Sequence, residues 1–130
     1  MDGAHLRIAR ATNDLERTAA LYRDGLGFEE VGRFEDHDGF DGVMLGHPGG
    51  GYHLEFTRQR GEEVPRAPTE ENLLVFYLPD REDWERACAR AEAAGFVRVA
   101  SNNPFWDRDG RTFEDPEGYR VVLENSAWER

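Results

Sequence analysis

The chain has 130 residues, 38% hydrophobic and 12% aromatic, which suits one domain with a sizeable core and excludes a disordered chain. Its formal net charge of −11 speaks against nucleic acid or an anionic membrane surface as a partner, because both are held by clustered Lys and Arg. All 16 basic residues are Arg and the one cysteine is Cys88, so lysine Schiff-base chemistry, an intrachain disulfide and a thiolate metal cluster are excluded.

In chain order, Leu6-Arg7-Ile8-Ala9 alternates apolar and polar side chains and reads as a strand. Asn13-Asp14 offers a helix N-cap, and Leu15, Ala19, Tyr22 and Leu26 recur at helical spacing to make one apolar face. Gly25 and Gly27 are expected to end that helix. Phe28 to Phe34 and Phe40 to Gly46 follow as a hairpin around Asp38-Gly39, and Tyr52 to Phe56 as a fourth strand. Residues 58–70, polar and carrying Pro65 and Pro68, read as a linker. The order then returns. Leu73 to Leu78 is an apolar strand, and Pro79-Asp80 caps a helix that buries Trp84, Ala87, Cys88 and Ala91 and stops at Gly95. Phe96 to Ala100 is a strand, Asn102 to Gly110 a long loop, and Arg111 to Glu114 and Tyr119 to Asn125 the last two strands.

The second order repeats the first in register. Gly95-Phe96 lies 68 residues after Gly27-Phe28, Gly118-Tyr119 lies 67 after Gly51-Tyr52, and Asp80 lies 66 after Asp14. The expected fold is therefore α+β, one domain over 1–130, built of two tandem βαβββ modules that curl around a central cavity. Module 1 spans about 5–57 and module 2 about 71–126, with the linker at about 58–70.

Asp14-Leu15, Leu21-Tyr22 and Gly25-Leu26-Gly27-Phe28, together with Phe113-Glu114-Asp115-Pro116-Glu117-Gly118 before the last strand, carry a family pattern. On these residues the chain resembles the vicinal oxygen chelate superfamily of glyoxalase I, fosfomycin and bleomycin resistance proteins and extradiol dioxygenases. The resemblance implies paired βαβββ modules and often a homodimer. It also implies a divalent metal held by four strand positions, usually His on the first strand of each half and Glu on the last, which chelates two oxygens of substrate and acts as a Lewis acid. Carried onto this sequence, those positions are Arg7, Glu55, Leu73 and Val122. Leu73 and Val122 cannot bind a metal, and Arg7 would repel one. An arginine fork can instead pair with Glu55, whose burial alone would be costly. An Arg7–Glu55 ion pair is expected, and no cofactor.

Strand alternation leaves one displaced alternative. His5 shares a face with Arg7, His53 with Glu55, and Glu124 with Val122, so His53, Glu55 and His5 or Glu124 could hold zinc, nickel, iron or manganese. The expected function is binding of a small organic molecule between the modules, with the standard metal site lost. Arg7, Glu55 and Tyr77 would be its polar determinants, Leu73 and Val122 its apolar wall, and Phe105 and Trp106 a cover. The alternatives are a metal-dependent lyase, isomerase or dioxygenase on the displaced ligands, a metal-free catalyst with Glu55 as base, or an interaction module with a packed cavity. No apolar run approaches the roughly 20 residues that cross a bilayer, and Met1 to His5 lacks a basic stretch followed by an apolar block. A cytoplasmic protein is expected, with a small-molecule ligand and neither nucleic acid nor membrane as partner.

Overall fold

A computed structural model describes residues 1–128. It divides into two compact units, Met1–Val64 and Pro65–Arg130. The first contains β1 (Leu6–Ala11), α1 (Leu15–Leu26), β2 (Glu29–His37), β3 (Phe40–Gly46) and β4 (Tyr52–Gln59). The second contains β5 (Leu73–Tyr77), α2 (Arg81–Ala94), β6 (Val97–Val99), α3 (Phe105–Arg108), β7 (Gly110–Glu114) and β8 (Arg120–Glu124). Each unit is a four-stranded mixed sheet. The orders, β1-β4-β3-β2 and β5-β8-β7-β6, are the same order twice. In each, the first and last strands pair in parallel and the others antiparallel. The fold is the expected α+β duplication of βαβββ modules.

The helices form where the sequence caps them. Asp14 accepts from Arg17 N at 3.2 Å and Asp80 from Asp83 N at 2.9 Å, satisfying backbone donors that a helix start leaves unpaired. Helix α1 runs through Gly25, which is buried, and stops two residues later at Gly27 (φ 78°), whose N–H closes on Arg23 O at 3.0 Å. Gly25 was expected to share in ending the helix. Instead it is a packing residue, and only Gly27 takes the left-handed conformation that stops the chain.

One face of each sheet is covered by that unit's helix. In the first unit Ala19 and Tyr22 of α1 lie with Val43, Leu45, Leu54 and Phe56, all essentially inaccessible, and the Tyr22 and Phe56 rings are 4.7 Å apart. In the second, Trp84, Cys88 and Ala91 of α2 lie in a core with Phe96, Phe113, Val121 and Leu123. The indole Nε1 of Trp84 donates to Leu123 O at 2.8 Å, so the buried ring leaves no polar group unpaired. Cys88 is inert core, its thiol pushed up by burial.

Two connections differ from expectation. Residues 58 and 59 extend β4 rather than begin the linker, and the loop from Asn102 to Gly110 contains the single turn α3. Asp107 holds that turn by accepting from Ser101 N at 3.0 Å. The Asp115-Pro116-Glu117-Gly118 turn is built as its residues dictate. The Asp115 carboxylate accepts from Glu117 N and Tyr119 N at 2.8 and 3.0 Å, and Gly118 takes φ 89°.

Candidate functional site

Strand alternation puts His53, Glu55 and Thr57 of β4 on the face that α1 leaves uncovered, opposite Leu54 and Phe56. The parallel register sets Arg7 against His53 and Ala9 against Glu55. Arg7 reaches past the small Ala9 side chain, and its Nη1 stands 3.3 Å from Glu55 Oε2. Glu55 is largely enclosed, with 12% of its side chain exposed, whereas Arg7 is half exposed at 49%. On β3, Met44 lies opposite Glu55 and Gly46 opposite His53. A Cβ at Gly46 would lie 2.9 Å from His53 Cβ, so only glycine lets the two strands keep that histidine between them.

The cluster is longer than the expected pair. Arg7 Nε donates to His53 Nε2 at 2.8 Å, and His53 Nδ1 lies 2.5 Å from His5 Nε2. An arginine can only donate, so His53 Nε2 must carry a lone pair. Its proton is then on Nδ1 and is given to His5. The result is a directed line, Glu55 carboxylate, Arg7 guanidinium, neutral His53, His5. A proton added to His53 would sit on Nε2 and face the guanidinium. Burial first, then the charges of Arg7 and His5, hold His53 below its usual range, while Glu55 pulls the other way.

This arrangement can be tested against the divalent metal that the superfamily resemblance implies. Of the four carried-over positions, Arg7 and Glu55 are paired with each other, and Leu73 and Val122 have no donor atom. For the displaced set, both ring nitrogens of His53 are engaged, one of them by a cation. Among the described residues no group of three His, Cys, Asp or Glu could hold a metal ion.

The helix-free face of the second sheet carries Leu73, Val75 and Tyr77 on β5 and Arg120, Val122 and Glu124 on β8. Leu73 and Val75 are half-buried and Val122 is fully buried. Beside them lies a polar pair that the sequence reading missed. Arg120, 7% exposed, holds Glu114 at 3.0 Å and also approaches Glu70 at 3.5 Å. The available signal was parity: Glu114 and Arg120 flank the tight turn and fall opposite one another in an antiparallel ladder.

Tyr77 is on this helix-free face but 36% exposed, with its ring 5.9 Å from that of Trp128. Phe105 is exposed, Trp106 is half-buried, and the two rings meet edge-on at 5.0 Å. Tyr77, Phe105 and Glu124 line a pocket of about 310 Å³ together with Arg108, Asp109 and Trp128, and Trp106 is not among its lining residues. The Asp36 to Asp41 hairpin tip is a salt-bridged turn: Arg60 holds Asp41 at 2.8 Å and Asp36 at 3.5 Å.

Comparison with known proteins follows the duplication. A family model for the YycE-like N-terminal domain matches residues 6–57, and one for the YycE-like C-terminal domain matches residues 71–125. The protein YycE of Bacillus subtilis, which is uncharacterized, is 41% identical over 123 residues, covering 95% of this chain and 88% of that one. Its crystal structure superposes with a TM-score of 0.90, at 39% identity over 99% of this chain and 94% of that chain. Two more distant structures share the fold. Leishmania major glyoxalase I has a TM-score of 0.72 at 18% identity, covering 93% of this chain and 85% of that one. The fosfomycin resistance protein FosX of Mesorhizobium loti has a TM-score of 0.71 at 16% identity, covering 98% of this chain and 94% of that one.

Proposed function

The chain belongs to the YycE-like family, with the fold of the glyoxalase and fosfomycin resistance proteins, and from that premise we propose that it binds a small organic molecule without a divalent metal, using Arg7 as the fixed cation. One observation carries this reading. Arg7, which the superfamily resemblance puts at a metal-ligand position, spans Glu55 at 3.3 Å and His53 at 2.8 Å and is still half exposed.

Those two contacts use Nε and Nη1 and leave out Nη2. A ligand bearing a carboxylate or a polarised carbonyl would accept from that remaining edge. Glu55 and His53 keep the fork oriented, so little of its rotamer freedom is lost on binding. His53, with its Nε2 lone pair already used, is a strut rather than a base. The Glu55 carboxylate is held by the arginine, which speaks against its use as a general base.

The test has two readouts. Elemental analysis of protein purified without added metal is expected to find zinc, nickel, iron and manganese each well below one per chain. A thermal-shift panel of small carboxylates is expected to give stabilising ligands in the wild type, since a ligand that binds only the folded state raises apparent stability. Those shifts should vanish in Arg7→Ala. Stoichiometric metal lost on Glu55→Gln, or carboxylate shifts unchanged in Arg7→Ala, would overturn the proposal.

A further inference from the structure

The second unit buries a carboxyl group that its own fold does not satisfy. Glu124 ends β8, opposite Tyr77 across the parallel ladder and opposite Gly110 across the antiparallel one. Only 4% of it is exposed, and its Oε2 has no hydrogen-bond partner among the described residues. Such a group is costly: a buried polar atom without a partner forfeits its hydration and gains nothing in return. Burial, reinforced by the charge of Asp109, holds the Glu124 carboxyl above the usual range.

The fold nevertheless makes room for it. A Cβ at position 110 would lie 2.8 Å from Glu124 Oε1 and 2.8 Å from Trp106 O, so glycine is what admits the carboxyl beside β7. The unpartnered group lines a pocket of about 310 Å³ whose other walls include Tyr77, Phe105, Arg108, Asp109 and Trp128.

Two features select the occupant. The walls are aromatic, and one ring already faces a cation: the Arg108 guanidinium carbon lies 5.9 Å from the Phe105 centroid. The charges do not balance. Glu124 and Asp109 against Arg108 leave one negative charge when all three are ionised. A monocation would neutralise the pocket, whereas an anion would add to its charge. A hard metal cation would want about six or more oxygens, and two carboxylates do not supply them. The volume is at the small end of ligand pockets, which suits one ring and a short arm.

We propose that this pocket binds a small aryl-alkyl ammonium ion, its charge met by the Glu124 carboxylate and its ring lying among Tyr77, Phe105 and Trp128. The site shares no residue with the Arg7 cluster, is lined wholly by the second unit, and does not rest on the function proposed above.

The experiment titrates the full chain at pH 8 with 2-phenylethylammonium chloride and with 2-phenylethanol, its neutral counterpart of like shape, by calorimetry. The ammonium ion is expected to bind about tenfold or more tighter than the alcohol, the discrimination of one charged hydrogen bond. Glu124→Gln should abolish that preference. Phe105→Ala, at an exposed position, should weaken both probes several-fold and leave the preference intact. Arg7→Ala should change neither, which separates this site from the carboxylate site.

Should Glu124→Gln fail to fold, amide shifts of the wild type decide. The ammonium probe should move Tyr77, Gly110 and Glu124, and shifts confined to other residues would contradict the proposal. Equal affinity for the two probes, a preference that survives Glu124→Gln, or no ammonium binding by folded wild type at millimolar concentration would overturn it.

Discussion

Replacing Arg7 by Leu removes the one cation that faces both Glu55 and His53. The size of the effect follows from the geometry. At the 3.3 Å separation of the pair, Coulomb's law gives about 1 kcal/mol in bulk water and about 5 kcal/mol at an effective dielectric of 20. Arg7 is half exposed, so solvent screening and the ordering of a long side chain pull the net value toward the lower limit. Against that, the leucine leaves a largely enclosed carboxylate without its partner, which itself costs about 1–3 kcal/mol. The expected loss is about 1–2 kcal/mol, or a fall in Tm of about 4–7 °C for a domain of this size. The assay is urea denaturation at pH 7.5 and low salt of wild type, Arg7→Leu, Glu55→Gln and the double variant, with the His53 imidazole followed by NMR in each. The double-mutant cycle should return a coupling of about 1 kcal/mol. His53 should titrate at higher pH in Arg7→Leu, because one of the charges holding it down is gone. A coupling indistinguishable from zero together with an unmoved His53 would refute the reasoning.

The His53 shift also fixes the sign of a pH dependence. Its folded-state pKa is below the ordinary 6.5, so the unfolded chain binds more protons, and stability should fall as pH drops through 6.5 toward the folded-state value. His53→Asn should flatten that slope in a pH series of thermal melts, with His5, Arg7 and Glu55 left in place. Gly110→Ala should destabilise by about 2 kcal/mol, since its methyl would meet Glu124 Oε1 and the Trp106 carbonyl at 2.8 Å each; a melt unchanged from wild type would contradict that packing. Asp115→Ala should cost about 2 kcal/mol by urea titration, because a carboxylate that is 4% exposed accepts from two backbone N–H groups of the turn.

What the sequence makes legible here is local and periodic. Asp14 and Asp80 announce their helices because a capping carboxylate acts within three residues. The duplication shows in the spacing of Gly27-Phe28 and Gly95-Phe96, since a tight turn followed by a buried aromatic tolerates few substitutes. The contact of Arg7 with Glu55 follows from strand parity and from the cost of burying a lone carboxylate. What stays hidden depends on partners distant in sequence or on backbone choices that composition does not mark. Gly25 and Gly27 are the same residue type, and only packing decides which of them stops α1. The turn α3 forms because Asp107 reaches back to Ser101 N, a contact that no periodicity signals. His5 joins the Arg7 line from outside any strand. The Glu124 pocket needs Tyr77, Phe105 and Trp128, which lie far apart in sequence.

The proposed function has the Arg7 guanidinium take the place of the metal that the superfamily resemblance implies. It is tested most directly by measuring the affinity of one chain for zinc, nickel, iron and manganese in turn, by calorimetry at pH 7.5, in wild type and in Arg7→Leu. No stoichiometric binding to the wild type is expected, because Arg7 engages both Glu55 and the Nε2 lone pair of His53. Stoichiometric binding of any of these metals to the wild type, lost on Glu55→Gln or His53→Asn, would contradict it.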